Sequence, residues 1–284
     1  MADAAATAIV DPREGRRRPR GAGRILVALA LGYAALLLLG PLAALLWGAF
    51  REGFALFLRQ VLEPDALHAL RLTLLLALAA TAINTVLGVV TAYVLVRHDF
   101  PGKRLLNGLV DLPFAVSPVI AGFMLVLLFG RGGWLASLSE ALGIKVVFAL
   151  PGMLLATAFV SLPFVTREVM PVLAQAGTEA EGTAYTMGAS PWTTFWTITL
   201  PSIRLGILYG VSLTFARAIG EFGAVLVVSG SVSGLTETAT LYIYRALDER
   251  NAVGAHAIAV VLVLFSFLLL FAMESLRKKR KRKT

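Results

Sequence analysis

The chain has no cysteine and few charged residues. The absence of cysteine from its 284 residues excludes disulfide bonds, thiolate metal sites and cysteine nucleophiles. Its histidines, His68, His98 and His256, are scattered along the sequence, so a histidine metal cluster is not expected. Charged residues make up 15% of the chain and hydrophobic residues 58%, with a mean hydropathy of +0.80. A soluble domain of this composition would expose large apolar patches, so the composition favours a membrane protein.

The sequence also lacks the motifs of common catalytic sites. It contains no Gly-x4-Gly-Lys-Ser/Thr phosphate loop, no Gly-x-Ser-x-Gly and no His-Glu-x-x-His. The chain is therefore not expected to be an enzyme. If its function consumes ATP, the ATP must be hydrolysed by another polypeptide.

Several apolar segments are long enough to cross a bilayer, which requires roughly 20 mostly apolar residues. The first has the length of a spanning helix and no persuasive cleavage site, so we interpret it as an anchor and not as a signal peptide. We expect an all-α integral membrane protein with six transmembrane helices. The segments cover about 24–49, 70–96, 105–129, 147–166, 203–228 and 253–273.

Basic residues lie mostly on one side of this arrangement. With an even number of spans, the two Arg- and Lys-rich ends of the chain fall on the same side, which the positive-inside rule places in the cytoplasm. We expect a basic cytoplasmic tail over 1–23, a transmembrane domain over 24–273 and a basic cytoplasmic tail over 274–284. The positive-inside bias and attraction to anionic lipid headgroups are enough to explain the net charge of +9, so nucleic-acid binding is not expected.

A polar, amphipathic segment, Glu179–Pro201, separates the fourth and fifth apolar segments. Thr178 and Glu181 have the spacing of a capping box, which predicts a short helix. Gly188 suits a left-handed cap and is expected to end this helix. Ser190-Pro191 then predicts the start of a second helix.

The second helix is predicted to carry an aromatic face. Trp192, Phe195 and Trp196 are spaced i, i+3 and i+4, and Pro201 is expected to separate the segment from the next span. One interpretation is an interfacial hairpin whose aromatic rings lie at the depth of the lipid headgroups. The other is a helix–turn–helix element that binds a groove on a soluble partner.

Part of this segment resembles a loop in the permeases of binding-protein-dependent ABC importers. That loop has the pattern Glu-Ala-Ala-x3-Gly-x9-Ile-x-Leu-Pro. Its glutamate and first alanine fall on Gly182 and Thr183, and Glu181 lies one position earlier. The resemblance implies that residues 169–202 form a cytoplasmic coupling loop that docks onto an ATP-hydrolysing subunit. Its candidate docking residues are Glu179, Glu181, Ala184, Gly188, Ile198, Leu200 and Pro201.

The fifth apolar segment contains two charged residues, Arg217 and Glu221. Their spacing of four places them on one helix face, and charges at this depth usually face protein or water. A neutralising pair within the helix or to a neighbouring subunit is the structural interpretation, and a role of Arg217 on an anion pathway is the alternative. Gly220 and Gly223 permit close helix contact.

Prolines interrupt the third apolar segment. Pro113 and Pro118 each remove a backbone donor, and non-helical backbone at membrane depth is tolerated only against protein or a water-filled cavity. Pro163 likewise removes a backbone donor near the end of the fourth segment. The residues expected at the translocation path or a subunit interface are Asp111, Pro113, Ser117, Pro118, Arg217, Gly220 and Glu221.

Several longer stretches resemble one group within these permeases, the sulfate/thiosulfate permease subunits of the CysW type. The matching segments are 111–118, 216–225, 227–230 and 234–238. The Gly-Glu-Phe-Gly element at 220–223 also occurs in molybdate and tungstate permeases, which gives the alternative function.

The resemblance implies a type I ABC importer permease in the bacterial inner membrane that translocates sulfate or thiosulfate. Its implied partners are two ATPase subunits, a second homologous permease, an extracytoplasmic sulfate-binding protein and membrane lipid. ATP-Mg would bind the ATPase subunits, with no cofactor on this chain. A molybdate or tungstate permease would more often pair with itself. A third hypothesis, an intramembrane enzyme or ATP-independent channel, requires the polar segment to be incidental.

Overall fold

A computed structural model describes residues 21–281, and the predictions for residues 1–20 and 282–284 lie outside the described part. All regular structure within 21–281 is helical, which confirms the all-α prediction. A π-helical turn, Phe195–Thr199, connects the helices Pro191–Thr194 and Leu200–Ile219. The helices are α1 (Gly21–Phe50), α2 (Phe54–Val61), α3 (Pro64–Arg97), α4 (Lys103–Ala115), α5 (Pro118–Phe129), α6 (Ala136–Ala141), α7 (Leu150–Gln175), α8 (Glu179–Thr186), α9 (Pro191–Thr194), α10 (Leu200–Ile219), α11 (Gly223–Ser229), α12 (Ala239–Asp248) and α13 (Ala252–Lys281).

The chain divides into two compact units, residues 1–47 and 48–284. Most of α1 belongs to the first unit, where a long apolar run forms a continuous helix despite Pro41. The second unit contains α2 to α13 and all of the candidate site residues.

Five helices within the described residues are long and apolar enough to cross a membrane. The pair α4 and α5 gives a sixth span if the two are counted together, although they meet at a bend of 113°. The predicted number of six spans is met in this way. The five continuous candidates are Gly23–Phe50, Pro64–Arg97, Leu150–Gln175, Pro191–Ile219 and Ala252–Leu269.

Small residues bring α3 and α10 close to α7. A Cβ atom on Gly210 would lie 2.7 Å from Val165 Cα, and one on Gly88 would lie 2.7 Å from Val165 Cβ. Without side chains at these glycines, the backbones of three long helices approach each other closely, as is typical of packed membrane helices. The fully buried Val165 lies between the two glycines.

The fourth span was predicted to end near residue 166, and this is wrong. Helix α7 continues to Gln175 through both Pro163 and Pro171. The prolines remove backbone donors, but the surrounding helices over-determine the path of α7, whose Val165, Val169 and Leu173 are fully buried. Packing therefore outweighs the local preference of proline.

The fifth span was predicted to cover 203–228, and its end is also wrong. Helix α10 ends at Ile219, and a separate helix α11 begins at Gly223. The carboxylate of Glu221 accepts a hydrogen bond from the backbone N–H of Ala224 at 2.9 Å. This bond satisfies a free donor in the first turn of α11 and thereby favours a new helix start.

Candidate functional site

Helix α8 begins at Glu179, directly after Thr178, as predicted, but the predicted capping box is absent. The Thr178 side chain makes no capping hydrogen bond. The Glu181 carboxylate is turned into the protein and is bound by the guanidinium of Arg97. A charged, bidentate partner binds a carboxylate more strongly than the backbone N–H of a helix start, which explains why the box does not form.

Glu181 is the centre of a buried polar cluster at the base of the loop. Arg97 Nε lies 3.0 Å from Glu181 Oε2, and Arg97 Nη2 lies 3.1 Å from Oε1. The Thr199 hydroxyl donates to Glu181 Oε1 at 2.8 Å, and Arg97 Nη2 donates to the Gly177 carbonyl at 2.6 Å. The side chains of Arg97 and Glu181 are each 9% exposed. We call Arg97, Gly177, Glu181 and Thr199 the Glu181 cluster.

The loop turns at two glycines with positive φ. Gly177 has φ +65° before α8, and Gly188 has φ +85° after it. The prediction that the first helix stops at Gly188 is confirmed, since glycine adopts this left-handed backbone without a steric penalty. Ala184, on α8 between the two turns, is half-buried.

The predicted start of the second helix is confirmed. Ser190 Oγ accepts a hydrogen bond from Thr193 N at 3.1 Å, and Pro191 occupies the first turn of α9. The three aromatic rings that were predicted to form one face are in contact, but only the two tryptophans are exposed: the ring centroids of Trp192 and Trp196 are 5.6 Å apart, and Phe195 lies 5.7 Å from Trp196.

Pro201 was predicted to separate the loop from the next span, and this is wrong. The chain stays helical from Pro191 to Ile219. The π-helical turn accommodates the proline: Leu200 N donates to Phe195 O, which widens the helix just before Pro201. An inserted turn of this kind relieves the clash that a proline causes in an α-helix, and such turns are frequent at functional sites. The motif residues Ile198 and Leu200 are half-buried here.

Four large side chains of the loop are exposed. The exposed fractions are 43% for Tyr185, 83% for Met187, 71% for Trp192 and 50% for Trp196. We call these four residues the loop surface. Exposed tryptophan and methionine are typical of surfaces that bind another protein or lipid. By contrast, Phe195 turns inward and contacts the Tyr93 ring of α3 at a centroid distance of 5.8 Å.

The proline-rich break in the third span packs against the break between α10 and α11. Pro118 begins α5, after a non-helical Ser117, whereas Pro113 lies inside α4. A Cβ atom on Gly223 would lie 3.1 Å from Pro118 Cβ. Gly122 likewise leaves room for the carbonyl oxygen of Ala224. The predicted interruption of this span is therefore confirmed, and the two breaks lie side by side.

Arg217 and Glu221 form an ion pair, as the structural interpretation predicted. Arg217 Nη1 lies 2.7 Å from Glu221 Oε2, and the Glu221 side chain is 2% exposed. The residues do not share one helix, because α10 ends at Ile219 and Gly220 follows it. Whether the pair faces the translocation path or an interface stays a prediction.

Asp111 is bound by an arginine that the sequence did not single out. Arg167 Nε and Nη2 lie 2.7 Å and 2.6 Å from the two oxygens of Asp111, and Nη2 also donates to the Asn107 carbonyl at 3.0 Å. This contact ties α4 to α7. The sequence contained a clue to this pair. The start of the third predicted span and the end of the fourth were expected on the same side of the membrane, and they carry opposite charges at Asp111 and Arg167.

A second unpredicted cluster surrounds Arg245 on α12. Arg245 binds both oxygens of the buried Glu237, at 2.7 Å and 3.0 Å, and this hydrogen bonding raises the pKa of Arg245. Burial, followed by a hydrogen bond to Glu63 at 2.9 Å, raises the pKa of the Tyr242 phenol. Both groups therefore keep their protons at physiological pH. No group of three or more metal-ligating residues lies together in the described part of the chain.

Comparison with known proteins gives a consistent family. The sequence profile described as "Binding-protein-dependent transport system inner membrane component" matches residues 84–282. The chain is 50% identical over 239 residues to the chloroplastic sulfate permease 2 of Chlamydomonas reinhardtii, covering 84% of this chain and 65% of that protein. It is 48% identical over 237 residues to the sulfate transport system permease protein CysW of Synechococcus elongatus, covering 84% and 83%.

A solved structure shows the same fold. It is a bacterial alginate ABC transporter in complex with an alginate pentasaccharide-bound periplasmic protein, and the matched chain has a TM-score of 0.74 at 17% identity. The match covers 90% of this chain and 94% of that chain. The sequence profile spans most of the chain and the fold agrees with it. The chain therefore belongs to the family of binding-protein-dependent transport system inner membrane components.

Proposed function

We propose that this chain is the permease subunit of an ATP-driven importer that moves sulfate or thiosulfate into the cytoplasm. The assignment of sulfate as the anion rests on the identity of 48% to 50% with proteins named as sulfate permeases, over 84% of this chain. The molybdate or tungstate alternative is not favoured, because these relatives are named for sulfate. The bacterial inner membrane is the location that the family description supports.

The loop between α7 and α10 is the proposed docking site for the ATPase subunits. The exposed loop surface supports this, since its large aromatic side chains suit a groove on a soluble partner. The sequence has no phosphate loop, so ATP-Mg would bind the partner ATPases and not this chain. The loop would then lie in the cytoplasm, together with both termini.

The proposed complex also contains a second homologous permease and an extracytoplasmic sulfate-binding protein. The complex of the alginate transporter with a periplasmic protein supports this kind of partner. The proposed mechanism is alternating access: closure of two ATPase subunits moves the docked loops, and the membrane helices follow. The anion shifts this equilibrium only through different affinities for the two states.

Uptake of radiolabelled sulfate tests the anion. Cells that carry this gene with its neighbouring transport genes, and matched cells lacking this gene, are compared with and without unlabelled thiosulfate or molybdate. We expect saturable uptake that requires this gene, is inhibited by thiosulfate and is little affected by molybdate. Uptake that only molybdate blocks would favour the alternative.

Two glycine substitutions test the docking site. Gly188→Pro is incompatible with a φ of +85° and removes the hydrogen bond from Gly188 N to Tyr185 O, so we expect ATPase association and uptake to be lost. Gly182→Ala is the matched control on α8, because a Cβ atom there would meet no atom within 4 Å. Intact ATPase association in the Gly188→Pro variant would mean that the loop is not the docking element.

A further inference from the structure

The Glu181 cluster joins segments that are distant in the sequence. Arg97 ends α3, Gly177 lies in the turn before α8, Glu181 is in the first turn of α8, and Thr199 ends the π-helical turn that leads into α10. One carboxylate and one guanidinium therefore connect the loop to two membrane helices.

The geometry of the cluster is well suited to hold these segments rigidly. The contact between Arg97 and Glu181 is bidentate, which fixes orientation as well as distance. The charges also suit their helices, with the cation at the C-terminus of α3 and the anion at the N-terminus of α8. Beside it, Tyr93 and Phe195 pack against an apolar cluster shared by α3, α7 and α10.

Burial decides between two roles for Glu181. A glutamate that contacts the ATPase must be exposed before docking, yet the Glu181 side chain is 9% exposed and its two oxygens already accept three hydrogen bonds from Arg97 and Thr199. The exposed groups of the loop are those of the loop surface. Glu181 therefore faces the membrane helices and not the surface that would receive a partner.

We propose that Glu181 and Arg97 are positioning residues that latch α8 onto α3 and α10, so that movement of the docked loop is carried into the membrane helices. This inference rests on the proposed function, in which the loop is driven by ATPase subunits. The ion pair between Glu181 and Arg97 transmits the movement of the loop to the membrane helices, and the loop surface contacts the ATPase subunit. Loss of the latch is expected to uncouple ATP hydrolysis from transport without preventing docking.

The first test measures coupling in the complex of this chain with the ATPase subunits, permease and binding protein encoded beside it. Glu181→Gln keeps the size of the side chain and removes its charge. We expect ATPase subunits to co-purify as in the wild type, while the ATP hydrolysed per sulfate transported rises severalfold. Asp99→Asn is the matched control, because it removes an exposed ion pair with Lys103 just beyond α3.

The second test does not depend on the anion. Because the chain has no cysteine, Val90→Cys on α3 and Thr186→Cys on α8 provide two unique spin-labelling positions, both exposed. We expect one narrow distance distribution between them, with and without ATP, and a broadened distribution in Glu181→Gln. If the wild-type complex does not transport sulfate, the proposed function fails, and this distance still tests the latch.

A milder variant guards against misfolding of Glu181→Gln. Thr199→Val removes one hydrogen bond to Glu181 and leaves the ion pair in place. An intermediate rise in ATP hydrolysed per sulfate, with normal ATPase association, would support the latch. Loss of ATPase association with an unchanged distance distribution in Glu181→Gln would overturn it, since Glu181 would then be a docking contact. Unchanged coupling and distance would overturn it as well.

Discussion

Glu181 and Glu221 are both buried glutamates paired with an arginine, but the two pairs connect different parts of the molecule. Glu181 binds Arg97 across 84 positions of sequence and thereby holds the loop against α3. Glu221 binds Arg217, four positions away, and its other oxygen accepts a hydrogen bond from Ala224 N at the start of α11. The first pair sets how two segments lie relative to each other, whereas the second ends one helix and starts the next.

This difference has a physical consequence for how each pair responds to movement. A long-range pair can carry force between segments, because displacement of one partner drags the other. A local pair travels with its own helix end and transmits little. The proposed latch therefore places coupling at the Glu181 cluster, whereas the Glu221 pair lies at the break between α10 and α11 that packs against Pro118 and Gly122.

The largest expected effect comes from breaking the long-range pair on its cationic side. Arg97→Met leaves the Glu181 carboxylate buried without its charged partner, which costs about 3–5 kcal/mol of stability. We expect a large fall in the thermal unfolding temperature of the detergent-solubilised protein. A change as small as that of an exposed pair would contradict the assignment of a buried latch.

Removal of an exposed tryptophan should separate docking from stability. Trp192→Ala is expected to change the free energy of unfolding by less than about 0.5 kcal/mol, because the side chain is 71% exposed. If Trp192 anchors the interface, ATPase affinity should fall by about 2 kcal/mol, roughly 30-fold. Titration of the ATPase subunits against nanodisc-embedded permease measures this. Equal ATPase affinity of the wild type and the Trp192→Ala variant would count against the loop surface as the ATPase contact.

The local pair should tolerate loss of its cation better than the long-range pair. Arg217→Gln replaces the cation by a neutral amide that still has donors, whereas Arg97→Met leaves no donor, and Arg217 is 32% exposed whereas Arg97 is 9% exposed; we therefore expect a smaller loss of about 1–3 kcal/mol. Its effect on ATP hydrolysed per sulfate should be small. Assembly with abolished transport would instead place Arg217 on the anion pathway, the alternative interpretation of this residue.

The smallest effect is expected for the exposed pair between Asp99 and Lys103. The hydrogen bond and charge of Lys103 lower the pKa of Asp99, so any stabilisation exists above the unfolded pKa and is lost as pH falls through the folded one. Because Asp99 is fully exposed, Asp99→Asn should leave the unfolding temperature unchanged between neutral and mildly acidic pH. A clear destabilisation at neutral pH would show that exposed charges near α3 matter more than burial indicates.

Local patterns in the sequence predicted much of this architecture. The apolar segments gave the number of spans, Ser190 and Gly188 gave two helix boundaries in the loop, and spacing gave the Arg217–Glu221 pair. Each of these features depends on residues within a few positions of one another. The expected orientation of the termini and the roles of the site residues stay predictions.

Several of the errors share one cause, which is tertiary contact. Pro163 and Pro171 do not end α7, because close packing around Val165 keeps the segment helical. Glu181 does not cap its own helix, because its carboxylate binds Arg97, which is distant in sequence but close in space. Arg97 and Arg167 were missed as partners for the same reason, since each lies more than 50 positions from its carboxylate.

Photo-cross-linking from the loop surface tests the central claim most directly. In this cysteine-free chain, Met187→Cys gives a single attachment point for a photo-reactive probe at a position that is 83% exposed. In membranes that contain the whole complex, we predict a cross-link to the ATPase subunit that is lost when Gly188→Pro is added. A probe that labels only lipid, with no ATPase product in an actively transporting complex, would contradict the account.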